Sequence, residues 1–422
     1  MKPNRLRVLA LAAALMAFLV PPAARTGDGG SRPLLPLPPP LRPLAPPAPT
    51  EPESPPSRTL SIPRNAAPDD VRRLMEGRSD WLEIECLSDR LDADNLAALA
   101  ACSEAATLKL SNMQMDMPLE TLMSLAGFGG LRVAELHIGR RNADMTRGFL
   151  AALAKANPNL IHVGLSGMNV AADDIAALAG CPELERLILY PDDSVRGEAI
   201  SIMAENCQKL RTLYLGQGMA EGTMDLEALT AISGLPLLES LWVNATSDAG
   251  DDAAEALGAG LPNLRALSLY GAAHVTSRGV AMIVEGMPLL TTLRVGNSAN
   301  IGDEALASMA GRDRMRCVSF NVARDITGAG LRHLAGMDRL YDIDVSGSRA
   351  IFDEDLAWMA ENLPGLLHLY MGPRDLISAE AVEAFRARRP RTQLYIELLH
   401  PDPAPPPEPE PVPPPPAPAE PF

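Results

Sequence analysis

From Leu264 the chain reads Leu-Arg-Ala-Leu-Ser-Leu-Tyr-Gly to Gly271. After a polar turn it continues from Ser277 as Ser-Arg-Gly-Val-Ala-Met-Ile-Val-Glu-Gly-Met-Pro to Pro288. The first half alternates apolar and polar residues, the period of a half-buried strand. In the second half Val280, Ile283 and Met287 recur at three and four residues, the period of a helix. The same phrase, apolar at positions 1, 4 and 6, begins at Trp81, Ala105, Val133, Leu160, Leu184, Leu210, Leu238, Leu264, Leu290, Met315, Leu340 and Leu366, and in weaker form at Arg391. The intervals are 24 to 28 residues. Self-similarity of this period predicts a stacked α/β solenoid: about 13 parallel strands on a concave face, helices on the convex face.

One strand–helix unit cannot bury its apolar side alone. Stacking puts positions 1, 4 and 6 of all units into one continuous core, so a chain of 422 residues need not divide into separate cores. Asp92, Ser277, Thr327 and Asp353 stand where a helix N-cap is needed, since their oxygens can accept from orphan first-turn amides. Pro or Gly follows several helices, as in Leu-Pro-Asn before Leu264 and Leu-Pro-Gly before Leu366. The first and last units are degenerate, with Cys86 at the third core position and Arg391 at the first. Terminal repeats of such stacks are atypical.

Two stretches carry a family resemblance: Asp325-Ile-Thr-Gly-Ala-Gly-Leu-Arg-His-Leu-Ala, and Ala-Gly-Cys181-Pro-Glu-Leu184-Glu-Arg-Leu187-Ile-Leu189. They resemble the cysteine-containing leucine-rich repeat of about 26 residues, the type found in F-box/LRR proteins. The resemblance covers residues 81 to 399 and implies the horseshoe fold. It also implies binding without naming a ligand.

The ends read differently. Met1 to Arg7 is basic, Val8 to Val20 is apolar, and Pro-Pro-Ala-Ala comes next, the layout of a secretory signal peptide over residues 1–24. The apolar run is short for a membrane span, so no stable membrane insertion is expected. Much of the chain's proline lies in two segments, a linker at 25–59 and a tail at 400–422. Such composition favours extended polyproline II structure without a core. Residues 60–80 are expected to cap the first repeat, and 81–399 to form the repeat domain.

A net charge of −16 disfavours nucleic acid, whose backbone repels it. No phosphate loop, GxSxG or HExxH phrase is present, so the sequence offers no enzyme, cofactor or metal signature. Five cysteines are present and CxxC spacing is absent. Cys181 and Cys207 each precede a repeat start by three residues and so stack in adjacent turns, as small buried thiols or as a disulfide.

Positions 3, 5 and 7 face out on the concave side. Position 5 or 7 holds Tyr190, Tyr214, Trp242 and Tyr270 on four consecutive strands of a chain that is only 4% aromatic. Trp, Tyr and Arg dominate binding hot spots. The expected protein-binding surface is therefore Arg186, Ile188, Tyr190, Tyr214, Trp242, Asn244, Tyr270 and Arg294. Aromatic residues also suit strands for packing alone. Two lesser groups are the acidic Asp342, Asp344, His368, Tyr370, Tyr395 and Glu397, and the trio Glu135, His137 and His162 at which a metal or acid–base pair would be sought.

The expected protein is a monomeric, non-catalytic, exported leucine-rich repeat protein that binds another protein, or a glycan, through its concave face. The alternative is an intracellular F-box/LRR-like adaptor or effector in ubiquitin-ligase recruitment. The resemblance would then call for an F-box before the repeats, and only Leu60 to Asp80 lies between the proline-rich linker and the first predicted strand.

Overall fold

The computed structural model describes residues 58–396, apart from 78, 89–90, 103, 114–118, 139–145, 169, 191–194, 217–223, 245–248 and 373–375. The expected signal peptide, most of the linker and the proline-rich tail lie outside these residues.

Fourteen strands form one parallel sheet in strict sequence order. They are β1 (Thr59–Ile62), β2 (Glu83–Cys86), β3 (Thr107–Met113), β4 (Val133–Ile138), β5 (His162–Ser166), β6 (Arg186–Leu189) and β7 (Thr212–Leu215). The second half comprises β8 (Ser240–Asn244), β9 (Ala266–Tyr270), β10 (Thr292–Val295), β11 (Cys317–Ser319), β12 (Asp342–Val345), β13 (His368–Met371) and β14 (Gln393–Ile396). A helix succeeds every strand but the last: α1 (Pro68–Met75), α2 (Ala93–Ala100), α3 (Leu119–Ala126), α4 (Phe149–Ala156), α5 (Ala172–Ala176), α6 (Gly197–Asn206) and α7 (Leu226–Ser233). Then come α8 (Asp251–Gly260), α9 (Ser277–Gly286), α10 (Asp303–Ala307), α11 (Gly328–Leu331), α12 (Asp353–Asn362) and α13 (Ala379–Arg388). Both α5 and α11 tighten into 3-10 turns, at Ala177–Gly180 and Arg332–Leu334. This is the α/β leucine-rich repeat horseshoe.

The structure corrects the sequence-based expectations in three places. The segment expected to be an N-terminal cap supplies a strand of its own, Thr59↔Glu83 through Ile62↔Cys86, so the sheet has fourteen strands among the described residues. Second, Val133 pairs with Thr107 and His162, which places it at position 3. The repeat therefore starts at Leu131, 1% exposed, with the small Ala134 at position 4. Ala134 hides the phrase because it carries little apolar weight. His137 moves from position 5 to 7, and Glu135 takes its place.

The third correction concerns the caps. Asp92 accepts from Asn95 N and Thr327 from Ala329 N, as expected of N-caps. Ser277 and Asp353 are instead the first residues of α9 and α12, behind Thr276 and Phe352. From there they reach the next repeat: Ser277 Oγ accepts from Gly302 N at 2.9 Å, and Asp353 Oδ1 from Ser378 N at 2.7 Å. Asp251 and Asp303 do the same with both oxygens. Asp251 accepts from Thr276 N and Oγ1 at 2.8 Å each, and Asp303 from Thr327 N and Oγ1 at 2.7 Å each. These side chains satisfy donors at the head of the next helix and tie neighbouring units together. Gly330 makes room for one of them, since a Cβ there would lie 2.1 Å from Asp303 Oδ1. Asp303→Ala is expected to cost about 1–2 kcal/mol by orphaning the Thr327 amide and hydroxyl. Urea unfolding measures it, and an unchanged midpoint would remove the inter-repeat role.

Positions 4 and 6 of β1 to β13 are at most 2% exposed, one continuous core along the stack. The five cysteines are buried thiols. Cys181 Sγ turns to the carbonyls of Ala154 and Asn157, and Cys207 Sγ donates to Leu178 O at 3.3 Å, so the pair is not bridged. Burial pushes their thiols up to about 11 and about 12, which keeps them protonated.

Candidate functional site: an aromatic ladder on the concave face

In-register pairing brings four rings together. Tyr214 pairs with Trp242 and Asn244 with Tyr270, while Ile188 lies beside Tyr214. Ring centroids lie 5.5 Å apart for Tyr190–Tyr214, 4.9 Å for Tyr214–Trp242 and 5.8 Å for Trp242–Tyr270. These are the distances of favourable aromatic pairs.

The ladder is layered. Tyr214 and Ile188 are 6% and 7% exposed and form its floor. Tyr190, Trp242, Asn244 and Tyr270 are half-buried and face outward. Two glycines explain how the rings lie down, and neither belongs to the surface expected from sequence. A Cβ at Gly216 would sit 2.4 Å from Tyr214 Cε1, and one at Gly296 2.7 Å from Tyr270 Cδ1. Burial raises the hydroxyl pKa of Tyr214 and of Tyr270, so both stay protonated.

The two arginines differ. Arg294 is already matched within the protein: Nη2 donates to Asp342 Oδ2 at 2.9 Å, and Nε and Nη2 donate to Cys317 Sγ at 3.2 and 3.0 Å. Cys317, absent from the expected surface, is held as a neutral thiol because burial pushes it up. Arg186, half-buried at the other flank, has a buried Nε without a hydrogen-bond partner among the described residues.

The lesser groups resolve separately. Asp342 is taken by Arg294, and Asp344 accepts from Ser319 Oγ and Ser346 N at 3.1 Å each. Burial raises the pKa of Asp344. Tyr370 and Tyr395 stack at 4.5 Å with an interplanar angle of 6°, and Glu397 lies outside the described residues. Glu135 Oε1 is 3.2 Å from His162 Nε2, and Glu135 Oε2 is 3.4 Å from Lys109 Nζ. His137 instead turns its Nδ1 to Ser166 Oγ at 2.7 Å, so the trio does not converge on one point. Among the described residues no group of three His, Cys, Asp or Glu is arranged to hold a metal ion.

Burial pushes the His162 imidazole down to about 4. Arg186 and Lys109 push the same way, against the pull of Glu135. The folded chain thus holds it neutral while the unfolded chain takes the proton near pH 6.5. Stability from this residue is complete above pH 6.5 and is lost as pH falls towards 4. We expect about 2 kcal/mol less stability at pH 5 than at pH 7. His162→Gln should remove that part of the slope in urea titrations at the two pH values. An identical slope would place the acid sensitivity elsewhere.

No family model matches the chain. It is 31% identical over 204 residues to the F-box protein MAX2 homolog A of Petunia hybrida, covering 41% of this chain and 28% of that protein. It is 29% identical over 160 residues to the F-box/LRR-repeat protein 4 of Bos taurus, covering 37% of this chain and 25% of that protein. The chain thus matches about a quarter of the length of these curated relatives. A chain in the crystal structure of the yeast Rad7 and Elc1 complex shares the fold, with a TM-score of 0.54 and 18% identity over 80% of this chain and 79% of that one. The chain has the leucine-rich repeat fold. Its sequence is similar to those of F-box/LRR proteins.

Proposed function

We propose that the chain is a non-catalytic recognition solenoid that holds a protein partner on its concave face, as the substrate-binding arm of an F-box/LRR-like adaptor serving a ubiquitin ligase. The observation that carries the reading is the aromatic ladder: adjacent partly open rings over a buried floor. The F-box relatives favour work inside the cell over export. Residues 59–75 are a strand and helix of the solenoid, so ligase recruitment would belong to a segment outside residues 58–396 or to another chain.

A photo-crosslinker in place of Asn244, compared with one at the exposed Ile202 on α6, tests this in the native host. The expected result is a protein crosslinked from position 244 alone, whose ubiquitination falls when the chain is depleted. Equal crosslinking from both positions would sink concave recognition. Unchanged ubiquitination would leave a binding protein without the ligase role. Mass spectrometry of the N-terminus tests the compartment: a cytosolic chain retaining Met1 agrees, and an extracellular chain starting near Arg25 overturns it.

A further inference from the structure

The aromatic ladder occupies β6 to β9, the middle four strands of the sheet, with five strands on either side. In a chain with 21% charged residues, positions 3, 5 and 7 of the repeats of β7, β8 and β9 carry no charged side chain. The row beside the rings is small: Thr212 pairs with Ser240 and Ser240 with Ala266, while Ser268 lies next to Trp242. Small side chains beside a line of rings leave a shallow trough that crosses the strands.

Rings and donors line this trough. The indole N–H of Trp242 and the side-chain amide of Asn244 have no hydrogen-bond partner among the described residues, and both are open to solvent. They stand two residues apart on one strand and so face the same side. The backbone of these strands is spent on pairing with its neighbours, so a ligand lying across the face meets side chains only. Each ordinary peptide residue would bring an N–H that needs an acceptor or water. Proline brings an apolar ring and a carbonyl but no N–H. A sugar would bring several hydroxyl donors, and no carboxylate stands at these outward positions to receive them.

We propose, on the footing of the concave-face recognition above, that the ladder binds a partner protein's proline-rich segment in the polyproline II conformation. Its pyrrolidine rings pack against Tyr190, Trp242 and Tyr270, and its carbonyls accept from Trp242 Nε1 and Asn244 Nδ2. Such a segment is extended before it binds and leaves its carbonyls unbonded, so little order is lost on docking. Five strands separate the ladder from either end of the sheet, which favours a ligand that arrives from outside the chain.

The probe is an oligoproline of ten residues, added to the full chain and followed by calorimetry and tryptophan fluorescence. Saturable binding is expected, abolished by Trp242→Ala and absent for a Gly-Ser peptide of equal length. Trp242→Phe, which keeps a ring but loses the N–H, should weaken it about three- to tenfold, and so should Asn244→Ala. No binding, or binding that Trp242→Ala leaves unchanged, would overturn the proposal. Cellohexaose bound at the ladder in place of oligoproline would give the face to a sugar. Should Trp242→Ala not fold, Trp242→Phe decides, and unchanged affinity there refutes the donor role. Mapping the crosslink from position 244 separates this proposal from the wider one. A partner joined through a proline-free segment leaves concave recognition standing and overturns the proline assignment. A crosslink to the chain's own residues 32–57 or 401–422 overturns the partner as its source. An inert oligoproline together with no protein crosslinked from position 244 would sink both.

Discussion

Trp242→Ala is expected to weaken binding of the concave-face partner by at least about 2 kcal/mol, roughly thirtyfold in Kd. Trp242 touches rings on both sides, 4.9 Å to Tyr214 and 5.8 Å to Tyr270. Truncating it removes the middle rung and lets water onto the floor made by Tyr214 and Ile188. The fold should survive, because the core positions of that strand are Leu241 and Val243, buried on the opposite side. Tyr190→Ala, at the ladder's end, should cost less. Calorimetry with the crosslinked partner gives the numbers, and an unchanged Kd for a folded Trp242→Ala chain would rule the ladder out as the hot spot.

The largest stability effect is expected from Phe320→Ala, about 3–5 kcal/mol. Phe320 is fully buried at the third core position of its repeat, where most units carry Leu or Val. Its amide donates to Asp344 O of the next strand at 2.7 Å, so the cavity would open where two repeats meet. In a linear stack each unit leans only on its neighbours. Faster exchange should therefore centre on β10 to β12 and fade towards the ends. A loss below about 1 kcal/mol in urea unfolding, or a uniform rise in exchange, would contradict the cavity account.

The repeat phrase made the sheet, its parallel order and the ladder's place on four successive strands readable from sequence, because core positions are chemically distinct from exposed ones. The register of β4 was not readable. Val133, Leu136 and Ile138 satisfy the 1-4-6 spacing as well as Leu131, Ala134 and Leu136 do, and only pairing with Thr107 decides between them. The first strand was hidden because Leu60 and Ile62 alone carry its phrase. Asp353 and Ser277 have cap chemistry but sit one residue inside their helices, so their acceptors serve the next unit. Such partners lie some 25 residues away and leave no local signal. Arg294 looked like a free hot-spot cation because Asp342, 48 residues on, cannot be seen as its partner in one dimension. The glycines beneath Tyr214 and Tyr270 likewise acquire meaning only once the rings are placed.

The uniform strand register makes the concave face a ruler graduated at about 4.8 Å. An extended peptide laid across it advances about 3.3 Å per residue, so its same-side residues fall about 6.6 Å apart and slip out of phase at once. A polyproline II chain advances about 3.1 Å with three residues per turn. It returns to the same side after about 9.3 Å, close to two graduations. If the ladder holds a peptide as proposed above, pitch would matter as well as side chain: a ligand in step would seat a residue at every second rung, and one out of step would meet a single ring.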